Sequence, residues 1–160
     1  MPHLDCQVRQ AKESDSDELA RLNWDFSTEE QRANEHSFEM YAASFDQFLQ
    51  SALQSGNWII WVAEYEQRLV FMAYVQIIHK VRRPGRSGSR QYGYVTNVFT
   101  EAPLRSQGIG TAVFERIIDW AKSQQLEFLV LWPSEASIQF YQRSGFMRSP
   151  DALELSLSED

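Results

Sequence analysis

The sequence contains a single cysteine, Cys6, and no run of apolar residues long enough to cross a membrane as a helix. One cysteine cannot form an internal disulfide, which is typical of a protein that works in a reducing compartment. The first residues also lack the basic and apolar regions of a signal peptide. We therefore expect a cytoplasmic protein that has no membrane partner.

Metal-site and hydrolase patterns are missing as well. The three histidines, His3, His36 and His79, are scattered and do not have metal-site spacing. No G-x-S-x-G sequence is present, which argues against a serine hydrolase. No repeat or linker divides the chain, so we expect one domain over residues 1–160, with a disordered tail at 158–160, and no metal.

Positive charge is scarce except in one segment. The net charge is −7, which makes nucleic acid an unlikely partner. Residues 80–90 nevertheless contain Lys80, Arg82, Arg83, Arg86 and Arg90 and no acid. The usual interpretation is a solvated hairpin tip, and the alternatives are a lid over an acidic acceptor or a contact for an RNA or protein partner.

Hydrophobic periodicity predicts an alternation of strands and helices. The predicted order is β-α-α-β-β-β-α-β-α-β, in which the last symbol stands for two short strands. The strands fall at 4–11, 58–65, 69–79, 92–100, 126–132, 146–148 and 153–157, and the helices begin near 15, 38, 109 and 134. Residues 66–68 form a hairpin turn between two of the strands. Asp15 is predicted to cap the first helix, with Glu18 completing a capping box.

The run RSQGIGT at residues 105–111 joins a strand directly to an amphipathic helix. The first turn of such a helix has unpaired backbone N–H groups and the positive end of the helix dipole. Gly108 and Gly110 have no side chains that would keep a phosphate from these donors. Val113 stands where a dinucleotide fingerprint needs glycine, and no Gly-Lys-Ser/Thr follows, so neither common nucleotide motif fits. The alternative is an ordinary tight turn.

Three sequence motifs, taken together, favour a phosphate-binding turn at residues 105–111 over an ordinary tight turn. Residues 105–110 fit R-x-x-G-x-G, residues 140–146 read FYQRSGF, and residues 95–100 read VTNVFT. Together they resemble the GNAT superfamily of acyl-CoA-dependent N-acetyltransferases, over roughly residues 56–157. The resemblance implies an α+β fold with a largely antiparallel seven-stranded sheet and flanking helices. It also implies that the parallel strands 92–100 and 126–132 splay apart.

The resemblance further implies that acetyl-CoA is the cosubstrate. Its pantetheine arm would pair with β-strand backbone, and its pyrophosphate would meet the N–H groups of residues 106–111. The cofactor-binding residues would be Val98, Phe99, Thr100, Arg105, Ser106, Gln107, Gly108, Ile109, Gly110, Thr111 and Ser134. Arg105 would brace the turn or reach phosphate, and Ser134 would contact pantetheine or simply cap a helix.

Two departures from the family pattern bear on the turn. Ser106 replaces the usual glycine, and Pro103 is one position later than the family's proline. We expect Ser106 to donate its N–H if its φ angle is that of a right-handed helix. The exact shape of the turn is not predicted.

For catalysis, the resemblance assigns Tyr141 as the general acid that protonates the departing thiolate. The alternative is a core tyrosine beside Phe140 and Phe146. No general base is identified, because Tyr94 occupies the strand position where some members have a glutamate. Deprotonation through water is one possibility. The candidate side chains lie between the first two helices and are Asp25, Glu29, Glu30, Glu35 and His36.

The predicted function is transfer of an acetyl group from acetyl-CoA to a primary amine of a small molecule or peptide, by direct attack in a ternary complex. The acidic composition slightly favours a cationic acceptor. A non-catalytic acyl-CoA-binding module and a structural subunit joined through residues 80–90 are the alternatives. A homodimer is left open.

Overall fold

A computed structural model describes residues 4–30, 37–85, 87–88 and 90–158. The strands are β1 (Gln7–Gln10), β2 (Trp58–Tyr65), β3 (Arg68–His79), β4 (Gln91–Thr100) and β5 (Leu129–Val130). The α-helices are α1 (Ser16–Glu29), α2 (Phe38–Ser55), α3 (Ile109–Ser123) and α4 (Ile138–Arg143). Short 3-10 turns precede α1, α3 and α4 at Glu13–Asp15, Ala102–Leu104 and Glu135–Ser137.

The strands form one sheet in the order β1-β2-β3-β4-β5, which confirms the predicted α+β class. All neighbours are antiparallel except β4 and β5, which are parallel as expected. Two layers of helices cover the sheet. One buried cluster contains α3 residues such as Val113 and Phe114, and the other contains α1 and α2 residues such as Leu19 and Leu49.

The predicted strand count is wrong, because the described residues form five strands and not seven. The strand predicted at 126–132 is reduced to Leu129–Val130, and no strand forms at 146–148 or 153–157. Alternating leucines suggested the last strand, but Leu153, Leu155 and Leu157 are 101%, 81% and 91% exposed. Alternation stabilises a strand only when one face is buried, and here neither face is.

The β2–β3 hairpin forms where it was predicted. Glu66 and Gln67 make a two-residue turn, with φ angles of 49° and 65°. Positive φ at both central residues matches the twist of the flanking strands. Strand β3 then runs through the centre of the sheet, with residues 69–75 buried.

Helix α1 begins after Asp15 as predicted, but the predicted capping box does not form. The Asp15 carboxylate instead accepts from the Lys12 N–H at 2.9 Å and pairs with Arg9 at 2.8 Å. Glu18 accepts from the Leu69 N–H at 2.5 Å. The two acids therefore attach α1 to the sheet, Asp15 through Arg9 of β1 and Glu18 through Leu69 of β3.

No helix in the described part of the chain is long and apolar enough to cross a membrane.

We predict that Gly93→Ala destabilises the fold by about 1–3 kcal/mol, the usual cost of overpacking a core. Gly93 pairs with Leu129 of β5. A Cβ on Gly93 would lie 2.6 Å from Leu129 Cδ2 and 3.0 Å from Val75 Cγ1, so both neighbours would have to shift. Urea denaturation measures the loss.

The control is a double-mutant cycle with Leu129→Ala, which removes the nearer clash. The double variant should lose less stability than the sum of the two single losses. Additive losses, or a Gly93→Ala variant as stable as the wild type, would show that β4 and β5 are not packed this closely.

Candidate functional site

The two parallel strands separate soon after they meet. Their only paired positions among the described residues are Gly93 with Leu129 and Tyr94 with Val130. Beyond these pairs a cavity of about 600 Å³ opens, and its lining includes residues 95–98 of β4 and residues 131–134 after β5. The expected gap between the strands is therefore present.

A β-bulge bends β4 at the edge of this cavity. The β3–β4 register jumps between the pairs Tyr74–Thr96 and Met72–Phe99, so two residues of β4, Asn97 and Val98, stand against one residue of β3. Asn97 adopts a left-handed conformation with a φ of 49°. A bulge of this kind bends the strand and changes the direction of its own backbone groups, which here include those of Val98.

A buried asparagine holds the bulge in place. Asn23 of α1 accepts from Asn97 Nδ2 at 2.9 Å and donates to the Tyr74 hydroxyl at 2.7 Å and to the Leu19 carbonyl at 2.9 Å. Asn23 is 6% exposed, so its polar atoms depend on these partners. Sequence patterns do not reveal this network, because the two asparagines are 74 positions apart in the chain.

The segment 105–111, called the glycine turn below, contains two residues with a left-handed backbone conformation. Gly108, the N-cap of α3, has a φ of 83°, and Ser106 has a φ of 61°. The condition set for Ser106, a right-handed helical φ, is therefore not met. Serine therefore occupies a conformation that favours glycine, the residue that the resemblance implies at this position. The first backbone hydrogen bond of α3 is donated by the Ala112 N–H to the Gly108 carbonyl at 3.1 Å. The N–H groups of residues 109–111, which precede it, have no acceptor within the helix.

Arg105 braces this turn by connecting it to the end of β4 and to α1. Its Nε donates to the Thr100 carbonyl at 3.0 Å, and its guanidinium pairs with Glu29 of α1 at 2.6 Å. The guanidinium also lies 5.3 Å from the centre of the Phe99 ring. Of the two expectations for Arg105, the structure contains the brace.

The second glycine of the turn, Gly110, lies against α4. A Cβ on Gly110 would lie 3.0 Å from Phe140 Cζ of α4. The bare backbone thus lets α4 pack against the first turn of α3. The turn residues Gln107, Gly108, Ile109 and Thr111 also border a second cavity of about 380 Å³ beside β1.

Tyr141 is both a core residue and a cavity residue. Its ring packs against Phe114, Phe140 and Phe146 with centroid distances of 5.5, 5.1 and 5.7 Å. Tyr141 is 8% exposed and lines the cavity between β4 and β5. Burial raises the pKa of its phenol to about 12, so the hydroxyl keeps its proton at neutral pH.

Ser134 lines the same cavity and precedes the 3-10 turn that leads into α4. Its hydroxyl lies 2.9 Å from the hydroxyl of Ser137, and it makes no side-chain cap bond. Phe99 is buried in the α1–α2 cluster, so its side chain faces away and only its backbone lies along the strand edge. The cavity thus brings together Val98, Ser134 and Tyr141, while residues 106–111 lie at the turn.

The candidate bases separate into different environments. Asp25 is paired with Arg21 at 3.6 Å, and Glu29 is paired with Arg105. The hydrogen bond from Arg105 lowers the pKa of Glu29, which makes it a weaker base. Glu30 lines the large cavity. Glu35 and His36 lie outside the described residues.

The cavity wall is more aromatic than the sequence analysis foresaw. Four of the residues that line it are Trp24 of α1, Tyr41 of α2, Tyr94 of β4 and Trp132 after β5. These residues come from four separate elements, so no sequence spacing relates them.

The basic segment 80–90 connects β3 to β4 as predicted for a hairpin tip. Lys80 and Arg90 both pair with Glu127, and Lys80 also lies 5.0 Å from the centre of the Phe128 ring. No described residue of the segment lines either cavity. Arg86 lies outside the described residues. Over the part of the chain that the structure describes, no group of three or more His, Cys, Asp and Glu residues is arranged to hold a metal ion.

Comparison with known proteins identifies the family. A family model described as acetyltransferase (GNAT) matches residues 17–146. The chain belongs to the GNAT family. The match includes the bulge, the glycine turn and α4, and so covers every element that borders the large cavity.

Individual relatives are distant. An uncharacterized N-acetyltransferase of Methanocaldococcus jannaschii is 32% identical over 60 residues, a match that covers 36% of this chain. The matched region spans about a quarter of that relative's length, at 26%.

Two solved structures share the GNAT fold with this chain. A protein from Clostridium acetobutylicum, described as a predicted acetyltransferase and crystallised with acetyl-CoA, superposes with a TM-score of 0.78 at 22% identity, covering 95% of this chain and 96% of its own. Glucosamine-6-phosphate N-acetyltransferase from Arabidopsis thaliana superposes with a TM-score of 0.75 at 20% identity, covering 97% of this chain and 99% of its own. At such identities the likeness concerns the fold.

We predict that Ser106→Gly stabilises this GNAT protein by up to about 1 kcal/mol. The left-handed conformation costs a non-glycine residue roughly 1–2 kcal/mol, which the variant would recover. The greater freedom of glycine in the unfolded chain offsets about 0.4–1 kcal/mol of this stabilisation. Urea denaturation measures the difference.

The matched control is Ser51→Gly, the same change at an exposed position inside α2. Glycine in a helix costs about 0.5–1 kcal/mol, so this variant should be less stable than the wild type. If both variants lose stability equally, the left-handed turn at Ser106 is wrong.

Proposed function

We propose that the protein transfers the acetyl group of acetyl-CoA to a primary amine by direct attack in a ternary complex. The observation that supports this most is the cavity at the divergence of β4 and β5, which is lined at once by Val98 and by Tyr141. Val98 is part of the bulge and offers a backbone N–H, and Tyr141 offers a buried phenol. Membership of the GNAT family supports the same reaction.

The residues fit acetyl-CoA along its length. Because β5 pairs with β4 only as far as Tyr94, the later backbone groups of β4 on that side face no described strand. A pantetheine arm would pair at Val98 and Thr100, where the Thr100 carbonyl also accepts from Arg105. The turn at residues 106–111 directs unpaired N–H groups and the positive end of α3 toward a pyrophosphate. Each hydrogen bond to a charged group contributes roughly 1.5–3 kcal/mol. Acetyl-CoA supplies the activated thioester.

The Val98 N–H would polarise the thioester carbonyl. Negative charge develops on that oxygen when the amine attacks, and a fixed backbone donor stabilises the charge without reorganising. Loss of one such donor typically raises the barrier by about 2.7–4 kcal/mol. The bulge fixed by Asn23 would set the direction of this donor.

Tyr141 would act as the general acid. The amine nitrogen bonds to the carbonyl carbon, the C–S bond breaks, and the sulfur takes the phenolic proton. The resulting phenolate is neutralised by the proton that the attacking nitrogen releases. Burial raises the proton affinity of the thiolate as well as that of the phenol, so a phenol with a pKa of about 12 remains a workable donor.

A non-catalytic acyl-CoA-binding module is the second candidate. It is favoured by Tyr94, which stands where some members have a glutamate, and by the pairing of Glu29 with Arg105. Such a module would bind acetyl-CoA without releasing CoA in the presence of amines. The lone Cys6 is compatible with action in the cytoplasm in either case.

We predict that acetyl-CoA stabilises the protein. Ligand at 100 times its dissociation constant adds about 2.7 kcal/mol, which a thermal shift detects. Gly108→Leu should abolish the shift, because a side chain at the N-cap of α3 blocks the approach of phosphate.

Gly56→Leu is the matched control, since Gly56 also has a positive φ, of 71°, with nothing near its Cβ, and lies at the end of α2. It should lose stability but keep the ligand shift. A wild-type protein that no CoA ester stabilises would contradict the proposal. Release of free thiol from acetyl-CoA in the presence of an amine then separates the enzyme from the non-catalytic module.

We predict that Tyr141→Phe lowers kcat by about 10²–10⁴-fold, the usual contribution of general acid catalysis, and leaves acetyl-CoA affinity unchanged. The ring contacts with Phe140 and Phe146 remain, so stability should change little. Steady-state kinetics and the thermal shift measure the two effects.

Tyr92→Phe is the control, because Tyr92 stacks on Phe128 and does not line the cavity. It should keep wild-type kcat. Near-full turnover by Tyr141→Phe, with C–S cleavage still rate-limiting, would make Tyr141 a core residue only and leave water as the acid.

A further inference from the structure

A chain of hydrogen-bonded side chains connects the lining of the large cavity to α1 and β3. Thr96 donates from its hydroxyl to Asn97 Oδ1 at 3.1 Å, and Asn97 Nδ2 donates to Asn23 Oδ1 at 2.9 Å. Asn23 Nδ2 then donates to the Tyr74 hydroxyl at 2.7 Å and to the Leu19 carbonyl at 2.9 Å. The amides of both asparagines are therefore engaged at the oxygen and at the nitrogen.

The Leu19 carbonyl fixes the direction of the whole chain. A carbonyl oxygen can only accept a hydrogen bond, so the nitrogen of Asn23 must face Leu19 and its oxygen must face Asn97. Asn97 must in turn direct its nitrogen toward Asn23 and its oxygen toward Thr96. Because turning either amide over would bring two acceptor oxygens together, the chain has one favourable arrangement.

Asparagine is an unusual residue for the buried face of α1. Its neighbours on that face include Leu19, Ala20 and Leu22, which are fully buried, and Asn23 itself is 6% exposed. Burying an amide costs free energy unless it is hydrogen-bonded, and asparagine forms helices less readily than leucine. An apolar residue would therefore suit the helix and the core better. What the amide of Asn23 adds is its contact with β3 and β4.

The contact with β4 controls a backbone group that the proposed reaction uses. Asn97 has a left-handed φ of 49°, a conformation that is costly for a residue other than glycine and persists only where its surroundings hold it. The Val98 N–H lies in the planar peptide group that joins Val98 to Asn97. A rotation about the backbone of Asn97 therefore turns this N–H, and the hydrogen bond from Asn97 to Asn23 opposes that rotation.

We propose that Asn23 is a positioning residue for acetyl transfer, which fixes through Asn97 the direction of the Val98 N–H toward the thioester carbonyl. This inference rests on the function proposed above and adds a residue of α1 that belongs to none of the three sequence motifs. Asn23 also borders the large cavity, but both protons of its amide nitrogen are already donated to Tyr74 and Leu19. Its effect on the reaction is therefore exerted through Asn97 and not by a hydrogen bond from its own amide to a substrate.

Such a role affects the chemical step and not the binding of acetyl-CoA. The glycine turn, which would hold the pyrophosphate, begins after β4 has ended and is braced by Arg105 and not by Asn23. A misdirected oxyanion donor raises the barrier for attack on the thioester, because the negative charge develops only in the transition state. Loss of the Asn23 amide should therefore lower kcat and leave the affinity for acetyl-CoA unchanged.

The first experiment compares the wild type with Asn23→Leu, which nearly keeps the volume of the side chain and removes the amide. The acceptor is hydroxylamine, a small nucleophile that is largely unprotonated at neutral pH and so needs no general base, and the readout is release of CoA thiol above the uncatalysed rate. Its nitrogen bonds to the acetyl carbon, the sulfur leaves with the Tyr141 proton, and a proton from that nitrogen replaces it. We expect kcat to fall about tenfold or more, with the KM for acetyl-CoA changed by less than about twofold.

Val62→Ala is the matched control for lost stability. Val62 of β2 is fully buried in the same cluster as Leu19 and does not line the cavity. Urea denaturation should show a loss comparable with that of Asn23→Leu, while kcat stays within about twofold of the wild type. An equal fall in kcat for the two variants, or wild-type kcat in Asn23→Leu, would overturn the positioning role.

A double-mutant cycle tests whether Asn23 acts through Asn97. Asn97→Gly also removes the link, and glycine adopts a positive φ without strain, so the bulge itself is retained. If the two residues act as one unit, Asn23→Leu should lower kcat by less than about twofold in the Asn97→Gly background. Losses that multiply would show that Asn23 affects kcat by another route and would contradict the inference.

A readout without turnover is the NMR signal of the Val98 amide. Acetyl-CoA should shift this signal in the wild type and much less in Asn23→Leu, while the signal of Gly110 in the glycine turn should shift equally in both. An equal response of Val98 in the two proteins would overturn the positioning role even if neither transfers an acetyl group. A wild type that responds at Val98 but releases no thiol would overturn the proposed transfer, and the comparison at Val98 would then still decide the role of Asn23. No response at Val98 in the wild type would overturn both.

Discussion

The early separation of β4 from β5 is the constraint on which the site depends. The strands share a parallel ladder at Gly93 and Tyr94 and then diverge. The bulge at Asn97 bends β4, and β5 is followed by Pro133, which has no N–H for a ladder. A continuous ladder would fill the cavity with paired backbone. Because pairing stops, the edge of β4 remains open beside the turn that leads into α3.

Several contacts that hold the fold together also position the proposed functional groups. The packing of Phe140 against Gly110 fixes α4 to the first turn of α3, and the same helix holds Tyr141 at the cavity. Asn23 joins α1 to the bulge, and Arg105 joins the turn to α1 through Glu29. The proposed oxyanion donor, acid and phosphate turn are thus each positioned by packing or hydrogen bonds that also hold the fold together.

Local patterns predicted the elements, and distant contacts decided the details. The β2–β3 hairpin and the strand-turn-helix at residues 105–111 follow from turn residues and periodicity within short windows. The bulge could not be predicted, because it depends on Asn23 and Asn97, which are 74 positions apart. Glu18 looked like a local cap and instead binds Leu69. The last predicted strand failed because alternation does not reveal whether a face is covered.

The most direct test of the account is the response of backbone amides to CoA, measured by two-dimensional NMR of the labelled protein. The account predicts the largest shift changes at Val98, at Thr100 and at residues 106–111, with little change in the segment 80–90. These amides belong to the open edge of β4 and to the turn before α3. Saturable changes confined to other residues, with these amides unmoved, would contradict it.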